Sequence, residues 1–343
     1  MRRIVVRKPG SYERLQIETH PDPRPGEDEI VIEVEAIGIN YADCVTRMGL
    51  YASARRYAGY PVTPGFEVAG RVTSVGGQVR GLRVGDPVMA VTRFGGYTTH
   101  LCVKHDQVFA VPPEMDMGEA AAFPTAFLTA WFGLFELAHP HPGDTLLVHS
   151  AAGGVGGALV QLGKIAACRV IGVVGDSHKV APATELGADA IIEKSTQPLW
   201  PSAERYAPDG YDVILDANGV ATLRGSYAHL APVGRLVIYG FHSMLPRSGG
   251  RPRWLKLAWA YLRTPCFNPL KLTVENRSVL GFNLSFLFDR SALLQRAMRQ
   301  LLEWHAEGQI RAPRITTYPF DEVAEAHRHL ESGQTCGKLV LTV

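Results

Sequence analysis

The sequence predicts an α/β protein of two parts, a small β-rich domain and a doubly wound parallel sheet. Three observations carry that expectation. From about residue 125, compact apolar runs of strand length alternate with stretches of helical spacing, as in a parallel sheet covered on both faces. The first 120 residues read instead as short β-branched segments broken by glycine and proline. Between the two textures, TLLVHSAAGGVGGALVQLGK at 145–164 joins a strand, a glycine turn and a helix.

In chain order, the β-rich part offers IVIEV at 30–34, FEVAGRVTSV at 66–75 and DPVMAV at 86–91. The parallel sheet draws on TLLVHS at 145–150, RVIGVV at 169–174, DAIIE at 189–193, DVILDA at 212–217 and RLVIYG at 235–240, with SVLGFNL at 278–284 as a sixth strand. Residues 291–307 place Leu293, Leu294, Ala297, Met298, Leu301, Leu302 and His305 on one side of an amphipathic helix that Gly308 ends. RITTYPF and GKLVLTV close the chain as strands flanking a helix over 321–331.

Composition narrows the function classes. A hydrophobic share of 46% with 20% charged residues excludes disorder, fibre and coiled coil. Thirty-five basic against 33 acidic residues leave a formal +2, too little for a chain-wide nucleic-acid footprint. Five widely spaced cysteines with no CxxC pair read as free thiols of a reducing compartment. MRRIVVRKPG lacks the apolar core of a signal peptide, and 145–163 carries too many glycines and polar groups for a span. A cytoplasmic protein is expected.

The glycine turn is the most informative segment. A parallel strand delivers the chain to Gly153, Gly154 and Gly156, which let the backbone approach a pyrophosphate, and the following helix aims its free N–H groups at the anion. Ala151 stands at the first glycine position of GxGxxG. At the end of the next strand, where NAD sites place an acid for the ribose, Gly175 appears, followed by Ser177 and Lys179, which suit a 2′-phosphate. That favours NADPH. Asp176, one residue along, is the alternative ribose acid and would favour NADH.

Together with GINYADCVTRMGLY at 38–51, PVTPGFEVAGRVTSVG at 61–76, GDPVMA at 85–90, AAGGVGGALVQLGK at 151–164 and the closing GKLVLTV, the chain resembles the medium-chain dehydrogenase/reductase superfamily over nearly its whole length. Within it, the zinc-free quinone oxidoreductase branch is the match, and GLY at 49–51, PVTPG at 61–65 and the long segment before Glu275 are most similar to the vesicle amine transport protein-like subgroup. The resemblance implies a GroES-like catalytic domain from 1–124 and 286–343 around a Rossmann domain at 125–285, with the active site in the cleft between them. It also implies Asn40 facing nicotinamide and acceptor, with Tyr41 and Tyr51 lining the same cleft as candidate proton donors. For the cofactor it implies Thr129 at the nicotinamide amide, Gly153, Gly154 and Val155 at the pyrophosphate, and Ser177 with Lys179 at the adenosine phosphate. Asn218, Gly240, Phe241, Phe282 and Asn283 follow later strands, and Lys338 matches a position close to the nucleotide. Glu193 stands where NADP-using relatives often have a tyrosine, which argues the other way.

Zinc-dependent relatives carry ligands at the positions of Asn40, Phe66 and near Thr125, and this chain has no His, Cys or carboxylate at any of them. The four-cysteine structural lobe is missing as well. Glu67 reads as a supporting residue, and His139 with His141, or His327 with His329, read as surface histidines. No metal is therefore expected, and without a Lewis acid an activated acceptor, a quinone or an α,β-unsaturated carbonyl, is the expected substrate. An enoyl-thioester reductase shares the fold and the hydride step. A homodimer is expected from relatives.

Between Asp216 and Glu275 lie 58 residues without an acid and with eight Arg or Lys. Its core, RWLKLAWAYLR at 253–263, puts Arg253, Lys256, Ala260 and Arg263 on one stripe and Trp254, Leu255, Leu257, Trp259, Tyr261 and Leu262 on the rest. Such a helix suits a cover over the substrate mouth or a subunit contact. The alternative is an anionic membrane surface met through 247–271, as in a lipid-binding protein with vestigial reductase activity.

Overall fold

The computed structural model describes all residues from Met1 to Val343. They fall into two compact units: Met1–Leu128 with Pro246–Arg251 and Leu284–Val343, and Thr129–Leu245 with Pro252–Asn283. The first unit therefore gathers both ends of the chain and, beyond the expected bounds, a six-residue return at 246–251.

In the first unit, β1 (Arg2–Val5) and β2 (Gln16–Thr19) pair antiparallel. The remaining strands, β3 (Glu29–Ile39), β4 (Glu67–Val75), β5 (Pro87–Val91), β6 (His100–Lys104) and β7 (Val108–Ala110), join the strands that end the chain. The long β3 is the centre, pairing antiparallel with β4 and β6. Its Ile30, Ile32 and Val34 alternate into a core shared with Val68, Val72, Val88 and Leu101, the period-2 pattern of a half-buried strand.

The second unit holds β8 (Thr145–His149), β9 (Arg169–Val174), β10 (Ala190–Glu193), β11 (Tyr211–Asp216), β12 (Leu230–Ile238) and β13 (Ser278–Gly281). All pair parallel in the order β10-β9-β8-β11-β12-β13. The apolar runs read from the sequence are these strands because both sheet faces are covered: Leu147, Ile171, Ile214 and Leu236 are fully buried. Two expectations need correction in length. β12 starts at Leu230, five residues before the run at 235, and its register with β11 shifts between Leu230 and Arg235, where Val233 is left-handed. β13 ends at Gly281, because the chain turns into a 3-10 helix at Leu284–Phe286.

The chain ends in β14 (Ile315–Pro319), the helix Val323–Ser332 and β15 (Lys338–Thr342), β15 lying between β14 and β3. The amphipathic helix runs Ser291–Ala306 and buries Leu294, Ala297, Met298 and Leu301. The basic segment folds as the helix Trp254–Arg263, which buries Ala260, half-buries Leu257 and leaves Trp254, Leu255, Trp259 and Leu262 outward.

Candidate active site

Strand register in the first unit brings three polar side chains to one point. Leu339 pairs with Ile39 and Val68 pairs with Ile37, so Lys338 and Glu67 flank the end of β3, where Asn40 begins the helix Tyr41–Arg47. The Lys338 ammonium donates to Asn40 Oδ1 at 2.7 Å, Glu67 Oε1 at 2.6 Å and the Ile39 carbonyl at 2.9 Å. Asn40 Nδ2 donates to the same Glu67 oxygen at 2.9 Å, and Glu67 Oε2 accepts the Thr125 backbone N–H at 2.7 Å. Gly38 is what admits the carboxylate: a Cβ there would lie 2.6 Å from Glu67 Oε1 and 2.2 Å from the Ala121 carbonyl oxygen.

An ammonium has three protons, and in this structure the cluster takes up all three, so Lys338 stands with Asn40. Tyr51 donates to Ser285 Oγ at 3.1 Å and packs edge-on against Phe66 with ring centres 5.8 Å apart. Tyr41 is half-buried at the first helical position, and desolvation raises its hydroxyl pKa above the ordinary tyrosine range. At the positions that carry zinc ligands in zinc-dependent relatives stand an amide held by Lys338 and Glu67, the buried Phe66 ring and Thr125. That donor set does not fit a zinc ion.

A second polar cluster lies beneath the same helix. Asp43 accepts the Asn40 N–H at 2.8 Å and the Gly65 N–H at 2.8 Å. Burial, partly offset by these hydrogen bonds, raises its pKa to about 7. Tyr97 meets His327 Nε2 at 2.9 Å, and His327 Nδ1 faces Arg47 at 3.3 Å. Arg47 pairs with Glu331 at 2.6 Å, both fully buried, and Tyr12 donates to the other Glu331 oxygen. His327 is thus no surface residue: it is wholly buried, and desolvation, with Arg47 beside it, pulls its pKa well below the usual histidine value. Ligand atoms of Cys44, His327 and Glu331 lie within 4.8 Å of one another, but the Arg47 guanidinium already supplies their cation. The signal missed in the sequence is the pair of i, i+4 spacings, Asp43 with Arg47 and His327 with Glu331, on otherwise buried helix faces.

In the second unit the glycine turn follows β8, at the point where the strand order reverses, with β9 on one side and β11 on the other. Ser150 adopts φ +57°, and Gly153 N–H bonds back to its carbonyl at 2.9 Å. A Cβ on Gly156 would sit 2.1 Å from that carbonyl oxygen, so only glycine lets helix and strand meet so closely. Gly153 caps the helix Gly154–Ile165, Val155 lies in its first turn, and no acid or capping side chain answers its N–H groups. That end is suited to a pyrophosphate. Asn218, after β11, accepts from Ser150 Oγ at 3.3 Å, while its buried Nδ2 has no protein partner, a donor left for a ligand.

Gly240 and Phe241 follow β12, and Phe282 and Asn283 follow β13; the Phe282 ring packs 4.9 Å from that of Phe132. Ser177 and Lys179 form a 3-10 turn after β9, next to Gly175, where a Cβ would meet open space. Glu193 ends β10 in register with Val174, one strand from that turn. Thr129 lies half-buried in the helix Pro124–Trp131.

Comparison with known proteins agrees with this architecture. A family described as alcohol dehydrogenase GroES-like domain matches residues 26–113, and one described as zinc-binding dehydrogenase matches 186–341. The chain is 32% identical over 344 residues to the synaptic vesicle membrane protein VAT-1 homolog of Rattus norvegicus, covering 99% of this chain and 84% of that protein. Two solved structures are similar: Escherichia coli quinone oxidoreductase complexed with NADPH (27% identical, all of both chains covered, TM-score 0.86) and CurK enoyl reductase (26% identical, 99% of this chain and 98% of that one, TM-score 0.85). Fold and site define an oxidoreductase with a GroES-like domain and a Rossmann sheet. The chain belongs to the medium-chain dehydrogenase/reductase superfamily, in its quinone oxidoreductase branch and within that to the VAT-1-like subgroup.

Proposed function

We propose that the chain is an NADPH-dependent, metal-free reductase of quinones or α,β-unsaturated carbonyls. The observation that carries this reading is the uncapped helix end at the glycine turn, beside the unpartnered Asn218 donor. NADPH, with which the similar Escherichia coli quinone oxidoreductase is complexed, supplies the hydride. The backbone of Gly153, Gly154 and Val155 binds the pyrophosphate, Ser177 and Lys179 hold the 2′-phosphate, and Thr129, Asn218, Gly240, Phe241, Phe282 and Asn283 complete the binding surface. Asp176 and Glu193 are the residues that pull toward NADH. Asn40 donates a hydrogen bond to the acceptor oxygen, where negative charge develops, and Tyr41 or Tyr51 is the candidate proton donor. A conjugated acceptor delocalises that charge itself, so the donor set that fails to fit zinc suffices.

Titration with NADPH and NADH, followed by turnover on quinones, enones and enoyl thioesters with and without chelator, tests the reading. Tighter NADPH binding and chelator-insensitive reduction of quinones or enones are expected; binding of neither nucleotide at millimolar concentration ends it. Preference for enoyl thioesters would move the chain to the enoyl reductase class. Light scattering checks the homodimer that belongs to the same reading.

One observation favours a second reading, binding to an anionic membrane surface. Leu255 and Leu262 are 90% and 81% exposed, Trp254, Trp259 and Tyr261 point outward with them, and Arg253, Lys256 and Arg263 are exposed on the same helix. No helix is long and apolar enough to cross a membrane. Sedimentation with phosphatidylserine vesicles decides: charge-dependent pelleting lost in Arg253→Glu/Lys256→Glu supports this reading, and no pelleting counts against it.

A further inference from the structure

Asn40 is the only end of a three-residue cluster that is not fully committed to the protein. Lys338 can only donate and the Glu67 carboxylate can only accept, so the side-chain amide between them has one permitted orientation, with Oδ1 on the ammonium and Nδ2 on the carboxylate. The flipped amide would set an N–H₂ against the ammonium and an oxygen against the carboxylate. One Nδ2 proton is bound to Glu67; the other has only the Gly38 carbonyl, at 3.5 Å, beyond an ordinary hydrogen bond. Asn40 is half-buried, whereas Glu67 is wholly buried and Lys338 nearly so.

We infer that Lys338 is a positioning residue, which through Glu67 and the Asn40 carbonyl oxygen locks the Asn40 amide so that its second N–H is presented to a carbonyl oxygen of the acceptor. The inference rests on the reductase reading above and adds to it the group that sets the geometry of the donor. It also accounts for a buried ion pair in place of a simpler apolar filling: a neutral pair would let the amide flip. The cluster links the chain at residues 40, 67 and 125, which in zinc-dependent relatives are at or beside metal ligands, by a tethered cation.

The test is a cycle of Asn40→Leu, Lys338→Met and the double variant, read with 1,4-naphthoquinone in two ways. The infrared C=O band of the bound quinone, with NADP⁺ present so that no reduction occurs, is shifted to lower frequency in the wild type. Each single variant abolishes the shift, and the double variant is no different. The turnover number falls about 10- to 100-fold in each single variant, with no further loss in the double and with nucleotide affinity changed less than about threefold, since both act through one donor. Lys338→Arg keeps part of both signals. If Lys338→Met does not fold, Glu67→Gln/Lys338→Met, which leaves no unpaired buried charge, takes its place with the same expectation. A wild-type C=O band that does not shift overturns the inference, as does a shift that survives Lys338→Met or turnover losses that multiply. Absence of nucleotide binding and of any turnover in the wild type removes the reductase reading as well, a result distinct from these.

Discussion

Gly156 shows how a single hydrogen in place of a methyl group sets how closely a helix can approach a strand. With its would-be Cβ 2.1 Å from the Ser150 carbonyl oxygen, Gly156→Ala must push helix and strand apart. A loss of about 1–3 kcal/mol of stability is expected, read by urea denaturation, along with at least about tenfold weaker NADPH binding as the turn shifts. Unchanged affinity would mean that the helix end does not hold the pyrophosphate. Lys338 teaches the complementary lesson. Its presence in GKLV is plain in the sequence, but its partners follow from the pairing of Leu339 with Ile39, which no local pattern reveals.

Between elements, the helices Tyr41–Arg47 and Val323–Ser332 are joined by a buried ion pair. Because Arg47 and Glu331 are both removed from water, Arg47→Met should cost about 3–5 kcal/mol by leaving a naked carboxylate, and Arg47→Met/Glu331→Leu should recover much of it. Denaturant titration of both variants checks this, and equal losses would refute it. The same region predicts a pH effect. The Asp43 pKa is raised in the folded chain to about 7, so the folded state holds this proton more tightly than the unfolded one. Its contribution to stability is full below the unfolded carboxyl pKa of about 4 and is lost as pH rises through 7. The stability of the wild type relative to Asp43→Asn should therefore decline from pH 4.5 to 7, by on the order of 1 kcal/mol per pH unit. A difference independent of pH would show that Asp43 is ionised throughout.

Across the whole molecule, the 58 residues without an acid concentrate positive charge beside an outward apolar surface while the formal net charge stays at +2. Leu255 and Leu262 are so exposed that Leu255→Asp/Leu262→Asp should change the unfolding free energy by no more than about 0.5 kcal/mol per substitution. A larger loss, growing with protein concentration, would show instead that a second copy covers this face. The helix was legible in its 3.6-residue spacing, and its outward apolar side was not, since periodicity finds two faces without saying which one meets the core.

The sequence alone determined the two-part α/β architecture, the parallel strands and the glycine turn, because these rest on short-range regularities: apolar runs, alternation, and glycine between a strand and a helix. The convergence of Asn40, Glu67 and Lys338, the burial of His327 and the pairing of Arg47 with Glu331 were decided only by the tertiary structure. Those contacts join residues 27 to 298 positions apart, and what sets them is strand register and helix packing, by which a charged side chain is removed from water and must find its partner wherever the fold brings one.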